Sequence, residues 1–332
     1  MNPLPSRRSD LNDQLAKLVE QGLFQDVLDR YYGATATPGF TEPKNQLLAA
    51  TAANRLGRVV QAHPLAEAAN AGFRERHDAH GQLRSANLLG VIAFEQGRLA
   101  DADAAFGLAL RLAETTGDQL MAARIWNNVA SVAHLRGDDQ AALEAYRRAL
   151  DTYRTLGNDR GIAETQHNLG LRLRQLGAYA EARVAVDEAT QHAAAVGDPS
   201  LDALILIGSA ELELAERDWA LAAADLDRAA ELATTAGNVL RIADVAKLKA
   251  VLALETGNAE RARHQASVGA TVAASQCHEL IRMECTAVKA RALRRLGRTA
   301  EAEASRTKVE SGFRALGAAP LAARFVATWA KR

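Results

Sequence analysis

Apolar residues recur along the chain with helical spacing, and glycines interrupt them at regular intervals. Leu88, Leu89 and Ile92 fall on one face of a first segment, and Leu99 and Phe106 fall on one face of the next. A glycine that directly follows such a segment ends the helix, because glycine adopts the left-handed conformation without strain. The pattern predicts a chain of short amphipathic helices separated by glycine stops.

The glycine stops repeat with a period of forty residues, in two series offset by half a period. The first series is Gly57, Gly97, Gly137, Gly177, Gly257 and Gly297, and the second is Gly117, Gly157, Gly197, Gly237 and Gly317. Arg217 replaces glycine in the first series, and His77 and Cys277 replace it in the second. A fixed period of this length predicts a repeat protein whose units each hold two helices.

Arg217 allows two interpretations. A non-glycine residue in the left-handed region costs about 1–2 kcal/mol, so we expect the turn around Arg217 to differ, with Trp219 packing to compensate. Alternatively, Arg217 is a neutral variant in an ordinary loop.

Small residues occupy the same two positions of successive units when units begin at 83, 123, 163, 203, 243 and 283. Position eight is Gly90, Ala130, Gly170, Ala210, Ala250 or Ala290, and position twenty is Ala102, Ala142, Ala182, Ala222, Ala262 or Ala302. Small side chains where two helices cross allow their backbones to approach closely. The two helices of each unit are therefore predicted to pack against each other at these positions.

This pattern resembles the tetratricopeptide repeat family, in which a helix pair carries Leu-Gly at positions seven and eight and Ala at position twenty. The unit that begins at 83 matches with Leu89-Gly90, Ala102, Phe106 and Ala109, whereas Lys249 and Lys289 replace the leucine in later units. The forty-residue length is similar to the longer subclass found in kinesin light chains and bacterial sensors. The resemblance implies an all-α, right-handed α-α superhelical solenoid.

The chain divides into three parts. Residues 1-42 are expected to form an N-terminal cap, with helices at 11–20 and 24–32 and a loop from Gly33 to Pro43. Residues 43-318 hold about seven repeat units. Residues 319-332 are expected to form a C-terminal capping helix that Pro320 starts at its first position.

Composition narrows the class of protein. The 332 residues are 48% hydrophobic but only 5% aromatic, which favours an alanine-rich helical core over a sheet. The 40 basic and 40 acidic residues balance, which argues against a nucleic-acid partner. Two cysteines, Cys277 and Cys285, suit neither a zinc site nor a disulfide scaffold, and no stretch is long and apolar enough to span a membrane. We expect a cytoplasmic protein.

No motif of a nucleotide-binding loop, a nucleophile elbow or a zinc-binding helix occurs in the sequence. His77, Asp78 and His80 come nearest to a metal cluster, but they lie at an expected helix end. His134 and His167 have no evident carboxylate to orient them. The sequence predicts neither an enzyme nor a metal or cofactor site.

Positions 2, 5, 6, 9, 12 and 13 of each first helix form one stripe, and stacked units bring the stripes side by side. In the second to fourth units the stripe carries the predicted binding residues Arg84, Asn87, Arg124, Asn127, Asn128, Ser131, His134, His167, Asn168 and Arg174. The resemblance implies that this stripe is a concave face that binds partner segments, with asparagine at position six holding the ligand backbone. The alternative is a solvated face that only keeps the array soluble.

Two further features concern partners. Arg291, Arg294 and Arg295 form a basic stretch that suits an acidic partner, or else an ordinary solvated helix face. In the fifth unit the stripe is mostly apolar, with Leu204, Ile207 and Leu214. We expect curvature, a ligand or a second copy of the chain to bury it.

These patterns favour a non-enzymatic scaffold that binds an extended peptide or a partner helix from another protein in its groove. Two alternatives stay open. One is a regulatory sensor that responds to a peptide or small molecule and lacks its own output domain. The other is a self-associating assembly protein, which would be a homo-oligomer.

Overall fold

The structure is a computed structural model, and it describes residues 7–35 and 42–330. In these two ranges the chain forms seventeen α-helices and no β-strand, which confirms the predicted all-α fold. The helices are α1 (Arg7–Glu20), α2 (Phe24–Thr35), α3 (Pro43–Arg55), α4 (Val59–Glu75), α5 (Ala79–Glu95), α6 (Leu99–Thr116), α7 (Gln119–Arg136), α8 (Asp139–Thr155), α9 (Asp159–Gln175), α10 (Tyr179–Val196), α11 (Pro199–Glu216), α12 (Trp219–Thr235), α13 (Val239–Glu255), α14 (Ala259–Ser275), α15 (Glu279–Arg295), α16 (Thr299–Ala315) and α17 (Ala319–Ala330).

The glycine stops end the helices as the repeat predicts. Gly97 has a φ of 75°, and its N–H donates to the Phe94 carbonyl over 2.8 Å while the Arg98 N–H donates to the Ala93 carbonyl. These bonds satisfy carbonyls that the end of a helix leaves without partners. After the second series of stops, a side chain caps the next helix. For example, Asn158 Oδ1 accepts a hydrogen bond from the backbone N–H of Gly161, three residues later, at the start of α9.

Arg217 corrects one expectation from the sequence. It ends α11 in the left-handed conformation with a φ of 65°, close to the 67° of Gly197, so the turn does not differ from the glycine turns. His77 and Cys277 also keep a positive φ of 54°. The repeat geometry therefore imposes the left-handed turn on whichever residue stands there.

Small residues bring the helices of each unit together. Ala102, Ala142 and Ala182 are fully buried between paired helices. In the second unit, a Cβ added to Gly90 would lie 2.5 Å from the ring of Phe106. The aromatic ring thus occupies the space that the glycine leaves free.

The odd-numbered helices from α3 to α15 form an inner layer, in which each contacts the next odd-numbered helix as well as its partner in the pair. The even-numbered helices from α4 to α16 pack outside them. This arrangement places the predicted stripe on the inner side of the array.

The terminal helices pack onto the array. In α1 and α2, Leu15, Val27 and Leu28 are buried in one cluster with Ala49 of α3. Helix α2 continues through Gly33 to Thr35, so the predicted loop does not begin at Gly33, and the part of that prediction at residues 36–41 lies outside the described residues. In α17, Pro320 occupies the second helical position and not the first.

The array coils far enough for its first three helix pairs to meet the sixth pair, the seventh pair and α17 along a line that we call the seam. The Val239 N–H donates to the Leu56 carbonyl over 2.9 Å, and Asn238 Nδ2 donates to the Arg55 carbonyl over 2.7 Å. Further along, Leu316 lies against Gly97 and Pro320 lies against Gly137. Units early in the sequence thus contact segments that follow about 180 to 220 residues later.

None of the described helices is both long and apolar enough to cross a lipid bilayer.

Candidate functional site

The inner layer encloses one large space, which we call the central cavity. Its volume is about 1270 Å³, and residues from α3, α5, α7, α9, α11, α13 and α15 line it. All ten predicted binding residues of the second to fourth units are among its lining residues. The helical positions that define the stripe therefore identified residues that lie around one cavity although they are up to 90 residues apart in sequence.

Two asparagine pairs join neighbouring inner helices. Asn128 Nδ2 donates to Asn87 Oδ1 over 3.0 Å, and Asn168 Nδ2 donates to Asn127 Oδ1 over 3.2 Å. In both pairs, position six of one unit donates to position five of the unit before it. Each pair uses one donor and one acceptor, so each carboxamide keeps further bonding capacity for a ligand.

The asparagine row stops at the fifth unit because position six there is Gly208. The ring of His167 fills the space, and a Cβ on Gly208 would lie 2.4 Å from its Nδ1. The row is therefore confined to the second, third and fourth units, with a histidine ring at its end.

The three predicted arginines of the stripe differ in their surroundings. Arg84 lines the cavity, is exposed, and has no hydrogen-bond or ion-pair partner among the described residues. Arg124 Nη1 contacts Met121 Sδ at 3.9 Å and has no carboxylate within ion-pair distance in the described part of the chain. Arg174 instead forms an ion pair with Glu211 at 2.7 Å. Positive charge for a ligand is thus left at Arg84 and Arg124.

The cavity histidines are neutral near pH 7. Burial, helped by the nearby Arg172, lowers the pKa of His134 to about 4. Burial, with Arg241 adding to it, lowers the pKa of His167 to about 4 as well. His134 Nδ1 lies 3.1 Å from Arg172 Nη1, and Ser131 Oγ lies 3.3 Å from the hydroxyl of Tyr146.

The opposite wall of the cavity is an ionic cluster that sequence reasoning missed. Lys247 Nζ lies 2.9 Å from Glu284, 3.3 Å from Asp244 and 3.9 Å from Glu211. Burial opposes its charge, but the three carboxylates hold the pKa of Lys247 well above its usual value. All four residues lie at stripe positions of the fifth to seventh units. The positions that identified the amide residues therefore also identify this cluster when they are read in the later units.

Beside the seam, Arg55 and Glu164 form an ion pair at 2.8 Å across the cavity. Burial raises the pKa of the neighbouring Glu95 to about 8, despite the opposing effects of Arg241 and Arg55. The cavity thus has one wall of amides with two arginines, Arg84 and Arg124, that form no ion pair among the described residues, and a second wall of paired charges.

The predicted basic stretch lies elsewhere and has its own intramolecular partners. Arg291 forms an ion pair with Glu255 at 2.9 Å. Arg294 lies over the ring of Trp329 and donates to its carbonyl, and Arg295 donates to the Leu254 carbonyl. None of the three arginines lines the central cavity.

The apolar stripe of the fifth unit faces the same cavity. Leu204, Ile207 and Leu214 are lining residues, and Ile207 is buried in a cluster with Leu226 and Val245. Packing against the paired helix α12 and the next inner helix α13 covers Ile207, whereas Leu204 and Leu214 stay half-buried.

Cysteine and metal chemistry find no support in the described residues. Cys277 is exposed, and Cys285 is buried, with burial raising the pKa of its thiol to about 12. Asp78 accepts a hydrogen bond from the Gly81 N–H and caps α5. In the described ranges no three His, Cys, Asp or Glu side chains are grouped as metal ligands.

Comparisons with known proteins agree with this architecture. Residues 121–195 match the family model of the tetratricopeptide repeat, and no curated protein matches significantly. A Rap protein complexed with competence and sporulation factor is 14% identical with a TM-score of 0.63, covering 97% of this chain and 96% of that chain.

Two further structures share the fold. NprR in complex with its cognate peptide NprX is 14% identical with a TM-score of 0.59, covering 85% of this chain and 83% of that chain. The Rap conjugation gene regulator of the plasmid pLS20, in complex with the Phr* peptide, is 16% identical with a TM-score of 0.60, covering 76% of this chain and 70% of that chain. The chain thus shares the helical-repeat fold of these structures, and its residues 121–195 resemble the tetratricopeptide repeat.

Proposed function

We propose that the chain is a non-enzymatic binding module that holds a peptide segment of another molecule in its central cavity. The observation that carries this proposal is the pair of repeated bonds Asn128–Asn87 and Asn168–Asn127, beside the unpaired Arg84. Asparagine is a poor helix former, so its recurrence at matched inner positions calls for a role beyond helix stability.

The asparagine row suits a peptide backbone. Each carboxamide can donate to a carbonyl and accept from an N–H, and the bond to its neighbour fixes its orientation before a ligand arrives. A preformed site loses little conformational entropy on binding, so its hydrogen bonds contribute to affinity. Arg84 and Arg124 would add charge-assisted bonds to ligand carboxylates. The three similar structures were solved as complexes with a factor or peptide, which supports this ligand class.

The proposal is tested by replacing Asn128 and Asn168 together by alanine. We expect peptide affinity to fall by roughly tenfold or more, since two hydrogen bonds to a ligand of about 1 kcal/mol each would be lost. Helicity and melting should stay close to those of the parent chain. Replacing the exposed Asn258, which lies outside the cavity, is the matched control. Unchanged affinity in the double variant would contradict the proposal.

A second candidate is a peptide-responsive regulator, because one of the similar structures is a gene regulator bound to a peptide. In that case the peptide would change how the chain binds a further protein. Co-purification of a protein partner without added peptide, using the chain with Asn128 and Asn168 replaced by alanine, separates the two candidates. A module whose partner lies in the cavity loses that partner, whereas a regulator keeps it and loses only its response to added peptide.

A further inference from the structure

Three arginines converge beside the seam, where the inner helices α7 and α9 end next to α17. Arg172 and Arg174 belong to α9, and Arg324 comes from α17. Arg324 Nη1 donates to Gln175 Oε1 over 2.7 Å, and Arg172 Nη1 donates to the same oxygen over 3.2 Å. Two guanidinium groups thus share one acceptor that carries no charge.

Positive charge exceeds negative charge in this cluster. Arg172 forms an ion pair with Asp139, and Arg174 forms an ion pair with Glu211. Arg324 has no carboxylate within ion-pair distance in the described part of the chain. Burial lowers the pKa of Arg324, and the two neighbouring arginines lower it further. One positive charge is therefore left without compensation at a place where like charges repel each other.

Hydrogen-bond donors also outnumber acceptors here. The Nε atoms of Arg172 and Arg174 are buried and have no acceptor among the described residues. His134 Nδ1 lies 3.1 Å from Arg172 Nη1, and because arginine only donates, Nδ1 accepts and the proton of the neutral ring lies on Nε2. A buried donor without an acceptor costs free energy. The cluster therefore favours an additional acceptor.

A small solute can reach the cluster. His134, Arg174 and Gln175 line the central cavity, as does Leu321 from the first turn of α17. Arg324 is exposed. The donors are therefore accessible without any change in the fold.

Helix α17 is held to α7 mainly by apolar contacts. Pro320 lies against Gly137, and Ala322 is buried in one cluster with Leu135. The side-chain bond from α17 to α9 is that of Arg324 with the neutral Gln175. An anion between the guanidinium groups of α9 and α17 would add charge-assisted bonds to this link.

A phosphate group matches this arrangement. It carries a charge of about −1.5 to −2 near pH 7 and has three strong acceptor oxygens. Arginine binds such oxygens with the paired N–H groups of its planar fork. Here the guanidinium groups come from two helices and the imidazole N–H from a third. Tetrahedral oxygens accept from these separate directions, whereas a planar carboxylate has only two oxygens to offer.

We propose that Arg172, Arg324 and His134 bind a phosphate group, either free phosphate or a phosphate monoester of a small molecule, and that the bound group ties α17 to α9. The phosphate accepts hydrogen bonds from both guanidinium groups, and its charge offsets their repulsion. Arg174 adds positive charge beside the site. The inference does not depend on the proposed peptide ligand, because none of the four inner asparagines takes part.

Titration of the full chain with sodium phosphate tests the site, with sodium chloride holding the ionic strength constant. Backbone amide chemical shifts report the binding. We expect a Kd on the order of 1 mM, and Arg324→Gln should weaken binding roughly tenfold or more. Arg147→Gln is the matched control, because Arg147 is also exposed and forms no ion pair among the described residues. Binding that does not saturate, or equal weakening in both variants, would overturn the inference.

Gln175→Glu supplies the missing negative charge from within the chain. A carboxylate at this position can pair with both Arg172 and Arg324 and so compete with phosphate. We expect phosphate affinity to fall roughly tenfold or more, while Tm in phosphate-free buffer does not fall. Phosphate affinity equal to that of the parent chain would overturn the inference, since charge on the shared acceptor would then not affect the site.

Two further ligands define the chemical class. Methyl phosphate that binds at least as tightly as inorganic phosphate assigns the site to monoesters, and weaker binding assigns it to free phosphate. Acetate, a planar carboxylate, should bind at least roughly tenfold more weakly than phosphate. Equal affinity for acetate would overturn the assignment to phosphate.

Hydrogen exchange tests the link between the helices. At ten times Kd, phosphate should slow exchange at the α17 amides by up to about tenfold in the parent chain. The same phosphate concentration should have little effect on these amides in Arg324→Gln. Unchanged exchange in the parent chain at saturation, or equal slowing in the variant, would overturn the proposal that phosphate ties α17 to α9.

Discussion

At the scale of single residues, the same position of the repeat has different tolerances in different units. Position eight is glycine in both the second and fourth units. A Cβ on Gly90 would lie 2.5 Å from the Phe106 ring, whereas the nearest atoms to a Cβ on Gly170 are at 3.4 Å. The difference arises because Phe106 is replaced by the smaller Val186 in the fourth unit.

Gly90→Ala should therefore lower the free energy of unfolding by about 1–3 kcal/mol through overpacking. Gly170→Ala should cost less than about 1 kcal/mol, because its neighbours are at ordinary contact distance and alanine is the better helix former. Urea denaturation of both variants checks the prediction. Equal losses would show that the aromatic ring does not determine the requirement for glycine.

Histidine burial makes stability depend on pH. The pKa values of His134, His167 and His278 are lowered by burial to about 4, compared with about 6.5 in an unfolded chain. Between these values the unfolded chain binds more protons than the folded chain, so stability is lost as the pH falls from about 6.5 to about 4. Glu95 acts in the opposite direction, because its raised pKa of about 8 adds stability as the pH falls from about 8 to about 4.5. Three histidines outweigh this one carboxyl group, so we expect Tm to be lower at pH 5 than at pH 7.

His278→Asn isolates one of these contributions. His278 Nδ1 accepts from the Ile281 N–H at the start of α15, and asparagine caps the equivalent helices α9, α13 and α14. The variant should keep its helix cap. Its free energy of unfolding should fall less on acidification than that of the parent chain, by up to about 3 kcal/mol. Melting curves at pH 7 serve as the reference, where variant and parent should agree. If the variant loses as much stability between pH 7 and pH 5 as the parent chain, His278 does not contribute to the pH dependence.

At the scale of the helix, the sequence predicted where elements end better than what their polar faces contact. Glycine periodicity located the turns because the left-handed conformation is a local requirement. The ion pair of Arg174 with Glu211 joins the stripes of two units, and its partner was visible at position nine of the next unit. The contact of Arg294 with Trp329 of the terminal helix falls outside the repeat pattern, so the repeat alone could not predict it.

Arg217 offers a test at a helix end. Because Arg217 has a φ of 65°, Arg217→Gly should relieve the left-handed strain and raise the free energy of unfolding by about 1 kcal/mol. The reciprocal change, Gly197→Ala at a φ of 67° with open space around it, should lower stability by a similar amount. Chemical denaturation of both variants measures the two effects. A loss of stability in Arg217→Gly would contradict this account of the turn.

At the scale of the whole molecule, the seam was not predictable from the repeat. Small rotations between units add up along the array, so a slight change per unit decides whether the first and sixth units meet. Gly57 looks like every other glycine stop in the sequence, yet it alone approaches the backbone of Leu240. The inner stripe was predictable because it depends only on helix geometry within a unit.

Gly57→Ala and Gly177→Ala separate closure of the array from strain in the turn. Their φ values are 71° and 82°, so both variants should lose about 1–2 kcal/mol from left-handed alanine. Only Gly57→Ala should also increase the radius of gyration, because a Cβ there collides with Leu240. Small-angle X-ray scattering measures this difference. An equal radius in the two variants would contradict closure through the seam.

The central claim is that peptide ligands bind to the amide wall of the central cavity. Its most direct test is to record the side-chain amide resonances of the full chain while adding a pool of synthetic random-sequence hexapeptides. The account predicts that the signals of Asn87, Asn127, Asn128 and Asn168 shift while that of the exposed Asn258 stays in place. Shifts at Asn258 with none at the four inner asparagines would place the ligand on another surface and contradict the account.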